Sequence, residues 1–383
     1  MDFELWYLIL VPLLFAAGWF ARSFDIKEKQ TIADEKDTLY KGVDLLLSNK
    51  QDQAIDAFIN LVKLDPDTVE MHFSLAGLFR RRGEFDRAIK IHNVLVNRED
   101  LPKKIRSRAL YELGEDYLKA GLWDRAEESF LKLSDTSESY KTIARKELLH
   151  IYETEKEWQK AIDEANIIQR QSGEDQSTRI AQLYCELTQQ NLYFKNFKGA
   201  AEALEKALKV DPNNKRALII KGKMLKAKGD IDGALATWKQ VGQISPAYGT
   251  LVVDQIASLL LEAGRKEEAV QYLEDLFKDG STTDEVDTAG ILLGKAGNSK
   301  EAIALIQEHL KTQPTLVAFY RLIDLRLANE PENESLKQLH GLLKNMLSKA
   351  VRYKCTKCGF ATRKFLWRCP GCHQWETFPP VRQ

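Results

Sequence analysis

An alanine recurs along most of this chain at intervals close to 34 residues. The successive spacings are 34, 38, 35, 39, 34, 35 and 33 residues, and the eight alanines are Ala54, Ala88, Ala126, Ala161, Ala200, Ala234, Ala269 and Ala302. In residues 52–66, 197–212 and 231–246 a large apolar residue follows the alanine by four positions and a proline follows it by twelve. A fixed period of this length indicates stacked copies of one supersecondary unit.

Two further positions recur with the alanine. Twelve residues before it stands a small residue in six units, namely Gly42, Ala76, Gly114, Gly222, Ala257 and Gly290. Three residues after the small one comes a large apolar side chain, namely Leu45, Phe79, Tyr117, Leu225, Leu260 and Leu293. The small residues would let the two helices of a unit approach closely, and a proline would end the second helix because it cannot continue one. The fourth and fifth units depart from the pattern, with Leu149 and Thr188 at the small position.

This pattern resembles the tetratricopeptide repeat. The fold class predicted for residues 35–350 is therefore all-α, a tetratricopeptide-repeat superhelix of eight to nine units, whose concave face binds partners. Residues 317–350 would add the last helix pair, with a turn at 329–333. Repeats of this kind are scaffolds, so we expect no catalytic residue and no enzyme activity.

The first residues are predicted to form a transmembrane anchor, residues 1–22. The run from Leu5 to Ala21 contains seventeen residues without a charge, and as a helix it would span about 26 Å. That is at the short end for a bilayer core of roughly 30 Å. A cleaved signal peptide is the alternative, but Asp2 and Glu4 stand where its positive region would be.

Positive charges follow the apolar run. Arg22, Lys27 and Lys29 lie in or next to a juxtamembrane linker at 23–34. By the positive-inside rule they place the rest of the chain in the cytoplasm. The predicted location is the cell inner membrane, crossed once, with the bulk of the chain on the cytoplasmic side.

Four of the five cysteines lie in the stretch CTKCGFATRKFLWRCPGC, residues 355–372. The pairs Cys355–Cys358 and Cys369–Cys372 have the spacing of two metal knuckles, and four thiolates provide a tetrahedral site for one metal ion. Zinc and iron both accept such a site, so the ion stays open between them. Residues 351–383 resemble a rubredoxin-type module.

Two departures from that pattern favour a structural site over a redox one. His373 stands where a glycine is common, and only ten residues separate the knuckles, which predicts a short intervening β-hairpin. A module this small cannot build a sufficient core alone, so the ion should supply much of its folding energy. Its aromatic residues should cover the site and dock it on the last repeats; these are Phe360, Phe365, Trp367, Trp375 and Phe378.

Other candidates for chemistry are weaker. Residues 294–300 look loosely like a phosphate loop but lack its spacing, and Cys185 is interpreted as a buried packing residue. Arg80, Arg81 and Arg82 form a basic run that would contact an acidic partner or lipid headgroups, or simply be solvated. The six histidines form no ligand motif, and the net charge is zero, which argues against a general nucleic-acid binder. The knuckle region is nonetheless basic through Lys354, Lys357, Arg363, Lys364 and Arg368.

The whole arrangement of anchor, repeats and four-cysteine module is similar to the lipopolysaccharide assembly protein B family. That resemblance implies an adaptor that brings the lipid A pathway deacetylase to the membrane-bound ATP-dependent protease FtsH and so restrains lipopolysaccharide synthesis. It also implies contacts with other lipopolysaccharide assembly proteins. The rival hypotheses are a membrane-attached electron carrier that uses the metal site and a nucleic-acid-binding module, which the membrane tether disfavours. A homodimer is compatible with the sequence.

Overall fold

The computed structural model describes residues 69–278, 283–349, 351 and 353–379, together with positions 22, 40–45, 48, 53–54 and 57. The predicted membrane anchor at Leu5–Ala21 lies outside the described residues. Within the described part of the chain, no helix combines the length and the apolar character that crossing a bilayer would require.

The chain divides into two compact units, Met1–Ser172 and Gly173–Gln383. Residues 69–172 of the first unit hold six helices, each packed on the next. These are α1 (Val69–Arg81), α2 (Phe85–Val96), α3 (Lys103–Lys119), α4 (Trp123–Thr136), α5 (Lys141–Glu155) and α6 (Trp158–Ser172).

The second unit continues the same helix-pair pattern and ends in two very short strands. Its helices are α7 (Ser177–Tyr193), α8 (Phe197–Val210), α9 (Lys215–Ala227), α10 (Ile231–Ile244), α11 (Pro246–Gly249), α12 (Val253–Glu262), α13 (Lys266–Lys278), α14 (Thr283–Lys295), α15 (Ser299–Thr312), α16 (Leu316–Asn329) and α17 (Glu334–Lys349). The strands are β1 (Tyr353–Lys354) and β2 (Ala361–Thr362), paired antiparallel. The predicted all-α repeat fold is thus confirmed, including the last helix pair.

All eight repeat alanines are buried to 1% exposure or less. The seven alanines from Ala88 onward lie on the second helix of their repeats, and Ala54 is helical as well. Prolines act as expected at three of the unit ends, since α8, α10 and α15 each stop two residues before Pro212, Pro246 or Pro314. Pro246 also opens α11, where its missing N–H leaves no helical hydrogen bond unmade.

In the third, sixth and eighth repeats the small position faces the large residue four places after the alanine. A Cβ built on Gly114 would lie 2.6 Å from the Phe130 ring, and one on Gly222 would lie 2.2 Å from Nε1 of Trp238. Both aromatic side chains are buried to 1% exposure or less. The hydrogen atom of glycine therefore leaves the space that the aromatic ring of the second helix fills.

In the irregular fourth repeat the large and the small residue have exchanged positions. Leu149 stands at its small position and Ala165 at its large one, and both are fully buried. The larger side chain has moved from the second helix to the first, while the sum of the two volumes stays similar. Interiors packed to crystal density tolerate such volume-conserving exchanges better than a change of total volume.

The second repeat differs from the others in chemistry, because His92 occupies its large position. Its Nδ1 lies 2.6 Å from Oδ2 of Asp116 on the next unit, and Oδ1 of that carboxylate accepts from Arg80 Nε at 2.5 Å. His92 and Asp116 are both fully buried. A polar contact thus joins α1, α2 and α3 where the other units use apolar packing.

The close approach of Gly222 to Trp238 in the sixth repeat predicts that one added methyl group lowers stability strongly. Gly222→Ala should lower the free energy of unfolding by about 1–3 kcal/mol, because Trp238 must leave its buried position and its hydrogen bond from Nε1 to the Ile219 carbonyl. Urea denaturation followed by circular dichroism measures this change.

Gly341→Ala is the matched control, since it makes the same substitution inside helix α17 where no atom lies within 4 Å of the new Cβ. It should raise the free energy of unfolding by about 0.4–1 kcal/mol, because alanine restricts the unfolded chain. Equal effects of the two substitutions would contradict the close approach of Gly222 to Trp238.

Candidate metal centre and its docking surface

The four clustered cysteines meet at one point. Their sulfur atoms all lie within 4.8 Å of one another. Cys355 Sγ is 3.7 Å from Cys372 Sγ, and Cys358 Sγ is 3.6 Å from Cys369 Sγ. No other group of three or more histidine, cysteine or carboxylate ligands comes together within the described residues.

This spacing fits a single tetrahedral ion. Metal–sulfur bonds of about 2.3 Å in a tetrahedron place the sulfur atoms about 3.8 Å apart. The closest sulfur pairs, at 3.6 and 3.7 Å, match that value, whereas a disulfide needs about 2.05 Å. Cys355 and Cys369 are buried, Cys372 is half-buried and Cys358 is exposed, so the site lies at the surface of the knuckle module.

Each knuckle is closed by its own short backbone ladder. Around the first, β1 pairs with β2, with Tyr353 opposite Thr362. Around the second, a single bridge joins Arg368 to Trp375. The predicted hairpin between the knuckles is therefore wrong, because the paired strands flank the first knuckle and do not connect it to the second.

The two knuckles end in the same left-handed backbone conformation. Gly359, directly after Cys358, has a φ of +77°, and His373, directly after Cys372, has a φ of +58°. Glycine adopts this region freely, which explains why it is common there, and any other residue is disfavoured. His373 tolerates the conformation, so its presence leaves the turn intact and the four sulfur atoms together.

The surroundings of the sulfur atoms shift the pKa values of Cys355 and Cys372 in opposite directions. Burial opposes ionisation of Cys355, but hydrogen bonds from Thr377 and from the backbone at Cys358 and Lys357 outweigh it and lower the pKa to about 6. A backbone N–H of Gln374 favours the Cys372 thiolate, yet burial and the neighbouring thiols raise its pKa to about 12. Without an ion the cluster retains protons at neutral pH, so metal binding must release them, and the affinity rises with pH.

The module is attached to the repeats through one carboxylate. Glu376 Oε2 lies 3.0 Å from Nζ of Lys215, and Oε1 accepts from Nε2 of Gln182 at 2.8 Å and from Nδ2 of Asn214 at 3.4 Å. Glu376 has a φ of +52°, a conformation that an L-residue adopts only when its surroundings favour it. Hydrogen bonds to a charged group contribute about 1.5–3 kcal/mol each.

Aromatic rings extend this contact. Trp367 stacks on Tyr248 with ring centroids 5.7 Å apart, and Phe365 meets the same tyrosine edge-on at 6.2 Å. The guanidinium of Arg216 lies 5.8 Å from the ring centroids of both Trp367 and Trp375. Burial, together with the nearby Glu376 carboxylate, raises the pKa of Tyr248.

These contacts place the module elsewhere than expected. They run to α7, α9 and α11, which belong to the fifth and sixth repeats and the segment after them, whereas docking on the last repeats was predicted. Phe365, Trp367 and Trp375 dock as predicted. Phe378 is fully buried beside Cys355 and Cys369, and Phe360 stays 41% exposed.

Sequence reasoning missed the repeat-side partners and Glu376. A signal for the carboxylate was present, because Glu376 is the only acidic residue in the otherwise basic stretch 351–383. Arg216 and Tyr248 gave no comparable signal, since a charged residue in a helix and an aromatic residue after a proline are common in repeats.

The other candidates have structural roles. Burial raises the pKa of the Cys185 thiol to about 12, which makes it inert. Residues 296–298 form the turn between α14 and α15. Arg80 is ion-paired with Glu112 and Asp116 inside the first unit, so it is unavailable to a partner, and Arg82 pairs with Glu84.

Comparison with known proteins agrees with both parts of the chain. The family described as "Rubredoxin metal binding domain" matches residues 353–380, and the family described as "Tetratricopeptide repeat" matches residues 41–100 and 192–246. The chain is 35% identical to lipopolysaccharide assembly protein B of Escherichia coli K12 over 98% of its length and 97% of that protein. It is 30% identical to the protein of the same name from Haemophilus influenzae, covering 97% of each. A crystal structure of a tetratricopeptide repeat protein from Parabacteroides merdae has 16% identity and a TM-score of 0.33, covering 73% of this chain and 100% of that one.

We propose that Cys355, Cys358, Cys369 and Cys372 are the four metal ligands, with one ion per chain. Cys369→Ser should abolish stoichiometric metal binding and leave residues 353–379 open to proteases, because the ion supplies much of the folding energy of so small a module. Elemental analysis and limited proteolysis of the full chain measure the two effects. Cys185→Ala is the control, and it should keep one ion per chain; loss of metal there as well would contradict the assignment.

The docking contacts predict a second effect that is separable from metal loss. Glu376→Gln keeps the side-chain shape but removes the charge that faces Lys215. The undocked population should rise roughly 5–30-fold, as a loss of about 1–2 kcal/mol requires. Tryptic cleavage after the half-buried Arg368, which directly follows the docked Trp367, reports this population when it is followed by mass spectrometry.

Glu301→Gln is the control. Glu301 is exposed and also lies within residues 173–383, and its substitution should leave the cleavage rate unchanged. Metal content should stay at one ion per chain in both variants. An unchanged cleavage rate in Glu376→Gln would mean that the carboxylate does not hold the module.

Proposed function

Because this chain belongs to the family of lipopolysaccharide assembly protein B, we propose that it is a membrane-tethered adaptor that regulates lipopolysaccharide synthesis. The observation that carries the proposal is the docked knuckle module. Because it is held on the fifth and sixth repeats, residues 173–383 present a surface that is made of both repeat and knuckle residues. Neither part alone presents that surface. Binding by such a surface, with no bond made or broken, is what an adaptor requires.

The finer part of the proposal concerns the partners. The adaptor would bind the lipid A pathway deacetylase and present it to the membrane-bound protease FtsH, so that proteolysis limits lipopolysaccharide synthesis. It would also gather other lipopolysaccharide assembly proteins. The helix-pair repeats support this role, because stacked repeats offer extended surfaces on which folded proteins bind.

The tether completes the proposal. Residues 1–22 would cross the inner membrane once, residues 23–34 would link the anchor to the repeats at 35–350, and residues 351–383 would form the knuckle module in the cytoplasm. The apolar run at Leu5–Ala21 and the positive charges after it support this topology. Tethering to the membrane of a partner makes the second binding event effectively intramolecular, which raises the overall affinity by up to roughly 10²–10⁴.

The metal would act as a structural cross-link in this role. A bound ion joins the two knuckles, and the chain's own residues Glu376, Trp367 and Phe365 then hold the module on Lys215 and Tyr248. The repeat fold and the family both favour a scaffold without enzyme activity.

An electron carrier is the second candidate, and the exposed Cys358 favours it, because an exposed sulfur ligand gives an electron partner access to the site. Absorbance of the purified full chain separates the two functions. Iron–thiolate bands that bleach and recover at a physiological potential would support the carrier. A colourless chain with one zinc ion excludes it.

The adaptor proposal predicts a change in deacetylase turnover in cells. Deletion of residues 1–22, and separately Cys355→Ser with Cys358→Ser, should lengthen the deacetylase half-life and raise lipopolysaccharide levels, because each removes one requirement for presenting the substrate. Pulse-chase measurement of the deacetylase and quantification of lipopolysaccharide test this. Cys185→Ala should behave like the unaltered chain. The proposal is wrong if neither altered chain changes the half-life while both are expressed at normal levels.

A further inference from the structure

A cavity of about 350 Å³ opens in the first unit, where the end of α2 meets the start of α3 and the end of α4. Its lining is mixed in polarity and consists of Val96, Lys103, Arg106, Ser107, Leu110, Lys132 and Thr136. The volume lies at the lower end of the range of small-molecule sites. It has room for a headgroup-sized ligand.

The charge of this cavity is one-sided. Three lining residues are cations, Lys103, Arg106 and Lys132, and no carboxylate lines the cavity. None of the three has an ion-pair partner among the residues that the structure describes. Neighbouring cations do find partners, since Arg108 pairs with Glu70 and Arg80 with Glu112. Lys103 and Lys132 are exposed and Arg106 is half-buried, so the three charges make the mouth of the cavity positive, and an entering anion would neutralise them.

The Arg106 side chain shows the missing partner most clearly. Its Nε atom is buried and makes no hydrogen bond. A buried donor without an acceptor is destabilising and rare in folded proteins. Since Arg106 lines the cavity, an acceptor that enters there comes within reach of its side chain.

The backbone at the start of α3 adds to the positive potential of the cavity. Helix α3 starts after Pro102 without a side-chain cap and without an acidic residue in its first turn. Its first N–H groups and the positive end of its dipole therefore face outward at the residues that line the cavity. Anions bind at such helix starts when side-chain cations converge there as well.

We propose that this cavity binds a phosphomonoester group. Arg106 offers a planar pair of donors to the phosphate oxygens, Lys103 and Lys132 supply charge, and the Ser107 hydroxyl supplies a further donor. Val96 and Leu110 contact the apolar part of the ligand next to the phosphate. The group can belong to a soluble phosphate compound or to a lipid headgroup. This site stands apart from the knuckle and does not depend on the adaptor role.

The test uses the full chain in detergent micelles at low and moderate salt, with two probes. Glycerol 3-phosphate, a phosphomonoester, represents the soluble source, and dioctanoyl phosphatidic acid represents the lipid source, with uncharged dioctanoylglycerol as its blank. Isothermal titration calorimetry gives the affinity of each probe. The thermal unfolding temperature, with and without probe, gives an independent readout, since a ligand stabilises only the state that binds it.

The variant Arg106→Gln/Lys132→Gln removes two of the cations, and Lys104→Gln is the matched control. Lys104 is exposed in the same first turn and does not line the cavity. The double variant should lose roughly tenfold in affinity per removed charge, as charge-assisted hydrogen bonds predict. Lys104→Gln should bind like the unaltered chain. Without probe, the double variant should unfold at the same or a higher temperature, because it relieves repulsion.

The outcomes separate the sources and decide the proposal. Binding of glycerol 3-phosphate that the double variant loses assigns a soluble phosphomonoester, and binding of phosphatidic acid alone, lost in the same way, assigns a lipid headgroup. Equal binding by the double variant and the unaltered chain overturns the site. Equal weakening by Lys104→Gln overturns it too, since that result shows only general surface attraction. No binding of either probe also overturns it. A double variant that unfolds at a lower temperature without probe identifies Arg106 and Lys132 as structural and argues against a ligand site.

Discussion

The close approach of the two helices within each repeat is the constraint on which the rest of the structure depends. One position of the first helix and one of the second share a fixed volume, which Gly222 and Trp238 divide as small and large. Leu149 and Ala165 divide it the other way. As long as the shared volume is filled, the next unit can stack at the same distance. The repeat is therefore specified by a pair of residues more than by either residue alone.

The knuckle module depends on that stack in a second way. It is too small to bury a core of its own, and its few aromatic side chains find their partners outside it, on Tyr248 and Arg216. Two interactions of different kinds hold it. The four sulfur atoms bring the two knuckles of the module together. The Glu376 carboxylate and the stacked rings attach the module to the fifth and sixth repeats. Loss of the first interaction should weaken the second, because Glu376 lies four residues after the proposed ligand Cys372.

The sequence was informative where the pattern is local or periodic. The eight alanines, the small residues before them and the four cysteines are all identifiable at fixed spacings, and each was found where the spacing placed it. Departures that looked like weak repeats, such as Leu149, became understandable only with the partner position in view. His373 was correctly noted as unusual, but the reason for glycine at that position is its positive φ, which no spacing reveals.

The docking site and the buried charges could not be predicted in the same way. Gln182 and Glu376 are 194 residues apart, and nothing periodic connects them. The contact of His92 with Asp116 replaces an apolar pair by a hydrogen-bonded one, a choice that a search for apolar periodicity cannot detect. For the basic run at Arg80 the sequence left open a solvated turn or a binding surface, because the internal partners of Arg80, Glu112 and Asp116, lie on another repeat.

Hydrogen–deuterium exchange of the full chain, before and after removal of the metal, tests most directly whether the ion and the repeats act together. Our account predicts faster exchange in residues 353–379 and also in α7 and α9, which contact Glu376, while α15 and α16 keep their protection. Faster exchange confined to residues 353–379 would contradict it, because the knuckle would then be a separate appendage whose ion has no effect on the repeat surface.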